Sequence, residues 1–360
     1  MKTQRVHGLT VFLSASFLAI LVPYSTGAQT EAPEAEGFKP LFESHAPLEV
    51  RISGPLTTLM REKPEEEYLD GRFSYVDESG NEVSLDIGFQ SRGRYRRKDD
   101  TCNFPPVRLN FRKGQVEGTL FDGQDKLKLV THCQNKRSSY EQLVVREYIA
   151  YRLLQALTEH SLSARLLHIT WEDTERSDEM TRLGFLIEAE EDVARRNGTY
   201  EVKTTGLSHD DLDASQTNLV NVYQYMIGNT DFSLIAGPKD EHCCHNAVLY
   251  SKTGEPPYIP VPYDFDFSGI VDAPYAGPNP RFKIRSVTTR LYRGRCSNNE
   301  LLPSTLAYVS NKKDDLLAIV ENTEELATNS RSKTTRFLER FFKEIDEPRR
   351  VESKLVKRCN

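Results

Sequence analysis

The sequence predicts an α+β protein in two parts, a β-rich first half followed by a mainly helical second half. Three observations carry this. Between Leu48 and Val130 short segments alternate apolar and polar residues with period two. From Glu141 onward the longer apolar sets recur at helical spacing. No internal repeat or long low-complexity tract interrupts that order.

Taken from the N-terminus, Lys2 and Arg5 precede an apolar run over 9–22, and Ser25, Thr26, Gly27 and Ala28 supply small residues after it. This pattern predicts a secretory signal cut after Ala28. The run is shorter than the roughly 20 apolar residues that span a bilayer, which disfavours an uncleaved anchor. The stretch 29–43, rich in Glu, Ala and Pro, reads as a disordered leader. A β-rich part is then expected over 44–190 and a helical part over 191–350. Strands are predicted at 48–52, 71–76, 83–89, 107–111 and 126–130 as one antiparallel sheet, with Ser79-Gly80-Asn81 turning a hairpin. A helix capped by Ser138 or Ser139, with Glu141 in its first turn, aligns Leu143, Val144, Glu147, Tyr148, Tyr151, Leu154 and Leu157. Strands return at 162–171 and 184–188. A second helix follows over 215–227, then an apolar hairpin from Ala247 to Val261, and two closing helices over 305–321 and 332–345.

The chain has 47 Lys and Arg against 53 Asp and Glu, a net charge of −6. Loss of the signal removes two cations and no acid, leaving −8. Such an acidic chain is a poor match for nucleic acid, and no later run is apolar enough to cross a membrane. Six cysteines behind an export signal predict disulfides, with fifteen possible pairings. Glu241-His242-Cys243-Cys244-His245 also suggests zinc, together with His132-Cys133. Adjacent cysteines do not readily reach one tetrahedral ion, however, and no Cys-x-x-Cys pair is present.

The chemistry centres on Gly228-Asn229-Thr230-Asp231, Asn246, and Tyr263-Asp264-Phe265-Asp266-Phe267. Three carboxylates and an amide flank an apolar hairpin that would bring Asn246 and Asp264 together. This is the set needed to hold Mg2+ (or Mn2+) on a nucleotide phosphate, with Asn246, Asp264 and Asp266 as metal ligands and Asp231 orienting a hydroxyl. Asp-x-Asp also arises by chance in acidic chains. Carboxylates set among aromatic residues, though, are costly to bury unless paired or metal-bound. Arg92 and Arg94, in the loop from Gln90 to Lys98, match phosphate oxygens with their guanidinium forks, or else form a solvated basic turn. Lys126 and Lys128 share one strand face. Either would anchor the α- and β-phosphates when paired with Glu147, unless Glu147 pairs with Arg146 or another surface base.

In this order the loop Ser91-Arg92-Gly93, the strand Lys126-x-Lys128, the helix pair Arg146-Glu147, Gly228-Asn229-x-Asp231, Asn246 and Tyr263-Asp264-x-Asp266 with Gly269 resemble the CotH-type kinase-like proteins. The resemblance spans roughly 45–345 and is specific around 228–269. It implies a divergent two-lobed protein-kinase-like fold that binds ATP with Mg2+. It also implies that Asp231 is the catalytic-loop aspartate, Asn246 the metal-binding asparagine and Asp264 the metal aspartate, in a secreted, cysteine-rich subgroup. In that family the asparagine follows the aspartate by a few residues. Here an insertion with Gly237-Pro238 and Cys243-Cys244 delays it to position 246. A disulfide from the insertion to Cys296 or Cys133 would pin it back; otherwise the loop has lost its catalytic geometry.

The expected function is a secreted or periplasmic phosphotransferase that uses Mg-ATP on protein hydroxyls. Its partners would be a nucleotide and a protein acceptor, with no nucleic acid. The alternatives are an inactive, pseudokinase-like envelope or surface protein, and a glycosyltransferase using Asp-x-Asp on a nucleotide sugar. The antiparallel half that comes first disfavours the latter.

Overall fold

Seven strands each turn one apolar stripe inward, and the stripes close on one another. In the computed structural model, which describes residues 1–4, 8, 32–239 and 241–360, these are β1 (Leu48–Gly54), β2 (Leu69–Val76), β3 (Glu82–Ser91), β4 (Val107–Phe111), β5 (Lys126–Val130), β6 (Ala164–Asp173) and β7 (Asp178–Ile187). They form a closed barrel in the order β1-β2-β3-β4-β5-β7-β6. Every neighbouring pair is antiparallel except β1 with β6, which run parallel from Leu48 opposite Leu167 to Gly54 opposite Asp173. Met1–Thr30 and Glu31–Asn360 separate as two units, and the helices and strands of the described residues all belong to the second. The signal expected over 1–28 lies outside the described residues, save 1–4 and Gly8.

With side chains alternating along each strand, Ile52, Phe73, Ile87, Phe89, Leu109, Leu127, Leu129, Leu167, Ile169 and Trp171 fill the barrel core. Each such burial contributes about 1.5–3 kcal/mol. Phe89 fits because β1 and β2 yield to it: a Cβ at Gly71 would lie 2.6 Å from its ring and 2.7 Å from the Ser53 carbonyl oxygen. The strands lie near where the sequence pattern puts them, but the expected antiparallel sheet closes into a barrel through the parallel β1–β6 pair. A closed barrel is not the two-lobed kinase arrangement, so the fold is corrected to an α+β barrel with helices. The leader is corrected too. Pro40–Glu43 forms α1, Leu41 and Phe42 are buried in the barrel core, and Lys39 pairs with Asp192 at 2.6 Å.

Two short helices, α2 (Leu56–Glu62) and α3 (Lys113–Val116), sit in barrel connections, and α4 (Glu141–Gln155) packs on β6 and β7. After α5 (Glu190–Arg196), β8 (Tyr200–Val202) joins β9 (Ala247–Ser251) and β10 (Ile259–Pro262) in a three-stranded antiparallel sheet. Between β8 and β9 runs α6 (Ala214–Ile227). The Asp213 carboxylate caps it by accepting from the Gln216 N–H, and Gly228 ends it at φ +69°. The closing helices are α7 (Leu302–Asn311), α8 (Lys313–Glu321), α9 (Thr328–Ile345) and α10 (Pro348–Lys354). The single helix expected over 305–321 is thus two helices that meet at Lys312. No helix among the described residues is long and apolar enough to cross a membrane.

The cysteines pair as Cys102–Cys133, Cys243–Cys244 and Cys296–Cys359. Disulfides are therefore present, but the insertion is not tied to Cys296 or Cys133. Cys243 and Cys244 bond to each other, which leaves no thiolate for the zinc reading.

Candidate functional site

Where the β3–β4 loop meets the β9–β10 hairpin and the turn after α6, the chain leaves a cleft of about 550 Å³. Arg92, Lys128, Asp231, Asn246, Asp264 and Asp266 all line it. Of the residues expected to act together, only Lys126 and Glu147 are absent from this lining: Lys126 is exposed at the start of β5, and Glu147 is buried in α4 behind the floor. Lys128, two residues further on the same strand face, is the lysine that reaches the cleft.

Asp231 and Asn246 meet although they are fifteen positions apart in sequence. Gly228 turns the chain out of α6, and the Asp231 N–H donates to Asn229 Oδ1 at 2.8 Å. The insertion then folds back on itself. The Ser233 N–H donates to the His245 carbonyl at 2.9 Å, and the His245 N–H returns to the Ser233 carbonyl at 3.1 Å. Asn246 Nδ2 consequently donates to the Asp231 carbonyl at 2.7 Å and to its Oδ2 at 3.2 Å, while His245 Nε2 lies 3.1 Å from Oδ1. The hydrogen bond and charge of Asp231 raise the His245 pKa above its ordinary value, against the opposing effect of burial. A backbone bridge does what the expected disulfide would have done.

Asp264 and Asp266 follow β10 but play different parts. Asp264 adopts φ +61°, and its N–H donates to the Tyr151 hydroxyl at 2.9 Å. Its carboxylate makes no hydrogen bond or ion pair among the described residues and faces the cleft. Asp266 is buried, and its Oδ2 lies 3.4 Å from Arg96 Nε. Arg96 also reaches Glu147 Oε2 at 3.3 Å. Burial pushes the Glu147 and Asp266 carboxyls above their ordinary range, and the Arg96 charge offsets this only in part. Arg96 itself rises, because the Glu147, Tyr275 and Asp266 groups outweigh its own burial.

The expected lysine pairing with Glu147 is therefore corrected. Arg96 takes Glu147, while Lys128 pairs with Glu190 and lies 4.9 Å from the Tyr263 ring centroid. Arg94 is exposed and pairs with Glu241 of the insertion, bridging the cleft mouth. Arg92 is half-buried with Nε unpartnered, and burial lowers its pKa. Three residues of the site, Arg96, His245 and Tyr151, carry roles that the sequence pattern does not assign them. Arg96 continues the every-second-residue spacing of Arg92 and Arg94, which is a usable signal. His245 adjoins Asn246, but the zinc-like pattern of its neighbours masks it.

Among the described residues no three His, Cys, Asp or Glu side chains cluster as a preformed metal site. Asp266, expected as a third ligand, is instead buried against Arg96. The free Asp264 carboxylate and the Asn246 side-chain oxygen nonetheless fit Mg2+, which is usually held by one or two carboxylates together with waters and substrate phosphates rather than by a protein cage. The unpartnered Arg92 Nε, buried beside them, fits a phosphate oxygen. Comparison with known proteins gives no matching family model and no matching curated protein.

Proposed function

We propose that this cleft binds a nucleoside triphosphate such as ATP with Mg2+ or Mn2+ and transfers its terminal phosphoryl group to a protein hydroxyl, as the CotH-type resemblance implies. The observation that carries the reading is the return of Asn246 to Asp231 across a long insertion, opposite Arg92, Lys128 and Asp264. Asp264 and Asn246 would hold the metal, which would neutralise charge on the phosphates. Arg92 and Lys128 supply fixed positive charge on the barrel side. Asp231 presents a carboxylate oxygen to the acceptor O–H and takes its proton. The hydroxyl oxygen bonds to the terminal phosphorus as the bond to the bridging oxygen breaks, and a nucleoside diphosphate leaves. His245 and Asn246 orient Asp231 for that role. Three disulfides suit an oxidising compartment, so the chain is read as secreted or periplasmic.

The test is incubation of the mature chain with γ-labelled ATP and Mg2+ or Mn2+, alongside thermal unfolding with and without Mg-ATP. Label transfer to a protein is expected, with losses of about 100-fold or more in Asp231→Asn and Asp264→Ala, as for groups that act on the transition state. Absence of both transfer and thermal stabilisation with every metal would end the reading. Stabilisation without transfer would favour the inactive alternative, a nucleotide binder whose Asp231 oxygens are already held by His245 and Asn246.

A further inference from the structure

The cleft continues beyond Asp231. A second cavity of about 560 Å³ shares Asp231, His245, Arg94 and Phe267 with the first, and Arg281 and Phe282 bound its far side. Arg92, Lys128 and Asp264 line only the first cavity, so the second gives Asp231 a separate approach that an acceptor hydroxyl could use.

The segment that bounds this cavity has an unusual charge, and two of its cations, Arg281 and Arg293, line the cavity itself. From Ala273 to Asn299 the chain carries Arg281, Lys283, Arg285, Arg290, Arg293 and Arg295 and no Asp or Glu, in a protein of net charge −6. Two of these cations are committed to the fold. Arg290 donates to the Met226 and Phe337 carbonyls. Arg293 donates to the Thr230 carbonyl at 3.2 Å and to the Phe232 carbonyl, with its guanidinium 4.4 Å from the Phe232 ring and 4.8 Å from Phe282. Arg293 thus anchors the basic segment to the residues on either side of Asp231. Arg281, Lys283 and Arg285, by contrast, are exposed and make no ion pair or side-chain hydrogen bond among the described residues.

We propose that this second cavity is the acceptor subsite and that it takes an acidic polypeptide segment. A serine or threonine hydroxyl would reach Asp231, and Asp or Glu side chains further along the segment would lie against Arg281 in the cavity and against exposed Lys283 and Arg285 beyond it. The proposal rests on the phosphoryl-transfer reading for its hydroxyl, and on charge complementarity for its acids. Three exposed cations match two or three carboxylates. A nucleic acid or sulfated polysaccharide would extend its dense charge over the acidic remainder of the chain. The apolar walls offered by Phe267, Phe282, Pro278 and Pro280 suit an extended peptide.

The experiment uses the mature chain without nucleotide. Fluorescein-labelled serine peptides flanked by Glu, by Gln or by Lys are titrated and followed by anisotropy. The Glu peptide is expected to bind about ten-fold tighter than the Gln peptide at low salt, with the gap closing at 1 M salt, where the Debye length falls to roughly 3 Å. The triple variant Arg281→Glu, Lys283→Glu, Arg285→Glu, with a thermal melt as folding control, is expected to reverse the order in favour of the Lys peptide. Equal binding of Glu and Gln peptides, or a preference that survives in the triple variant, overturns the proposal. So does displacement of the Glu peptide by a single-stranded oligonucleotide at lower charge concentration. Phosphoryl transfer is read separately with labelled ATP. A Glu peptide that binds but is never phosphorylated leaves the acidic subsite standing and removes the transfer reading, whereas transfer with no acid preference does the reverse.

Discussion

Arg96 is the residue on which the site's electrostatics turn. It is the cation nearest to both buried carboxyls, Glu147 at 3.3 Å and Asp266 at 3.4 Å. Removing it leaves two acids in a low-dielectric floor. Arg96→Ala is expected to lower stability by about 3–5 kcal/mol, since breaking a buried pair strands the other charge. Glu147→Gln should cost clearly less, because it removes a charge that burial already disfavours. Urea unfolding of the two variants checks this, and a cost below about 1 kcal/mol for Arg96→Ala would refute it. A second residue sets a pH dependence. His132 is fully buried, with Nε2 2.7 Å from Asn135 Oδ1 and Nδ1 unpartnered. Burial lowers its pKa to about 4. Its folded value therefore lies below the unfolded value of about 6.5, and the unfolded chain binds more protons in between. The neutral ring's contribution is complete above about pH 6.5 and is lost as pH falls toward 4, up to about 3 kcal/mol. Urea midpoints at pH 7 and pH 4.5 should diverge less in His132→Gln than in the parent chain. At this scale the sequence shows which residues are chemical but not which of them meet. Asp231, Asn246 and Asp264 stand out by type and flanking pattern, whereas the exchange of a lysine for Arg96 opposite Glu147 depends on loop geometry with no periodic trace.

Among the elements, the insertion between Asp231 and Asn246 decides whether the site exists. Its sequence, with Gly237-Pro238 and Cys243-Cys244, suggests a loop that needs pinning, and the two hydrogen bonds between Ser233 and His245 provide the pin. Ser233→Pro deletes one of those donors. Asn246 is then expected to lose its hold on Asp231, and Mg-ATP affinity to fall about ten-fold or more, the worth of roughly 1.4 kcal/mol. Global unfolding should change little, because the bridge is local. Calorimetric titration with Mg-ATP beside a thermal melt measures both, and an unchanged affinity would show that the bridge does not position Asn246. The elements themselves are largely legible. β4 and β5 fall where alternation puts them, and α6 ends at Gly228 as a left-handed cap requires. The break between α7 and α8 is not legible, because Lys312 and Lys313 are ordinary helix formers and only tertiary packing separates the two helices.

For the whole molecule, the least legible feature is closure of the barrel. β1 and β6 are more than a hundred residues apart, and their parallel pairing leaves no mark in either segment beyond ordinary alternation. The disulfides divide the work at this scale. Cys102–Cys133 and Cys296–Cys359 span sequence separations of 31 and 63, whereas Cys243–Cys244 closes essentially no loop. By loop entropy the first two are each worth about 4 kcal/mol and the third very little. Their positions differ more than their energies. Cys102 lies in the loop that carries Arg92 and Arg96, and Cys133 follows the strand that carries Lys128, so this bond braces the Arg92 and Lys128 side of the cleft. Cys296 lies three residues after Arg293, and the C-terminus is sewn to it through the Cys296 N–H on the Asn360 carbonyl at 3.1 Å and the Asn360 N–H on the Gly294 carbonyl at 2.9 Å. That bond braces the Arg281 and Arg293 side. Paired Cys→Ser variants should therefore lose comparable stability in urea yet differ in function. Cys102→Ser with Cys133→Ser is expected to weaken Mg-ATP binding while sparing the acidic-peptide preference, and Cys296→Ser with Cys359→Ser to do the opposite. If both pairs weakened the two ligands equally, the bonds would act only through global stability, and the division of the cleft around Asp231 would have no separate mechanical support.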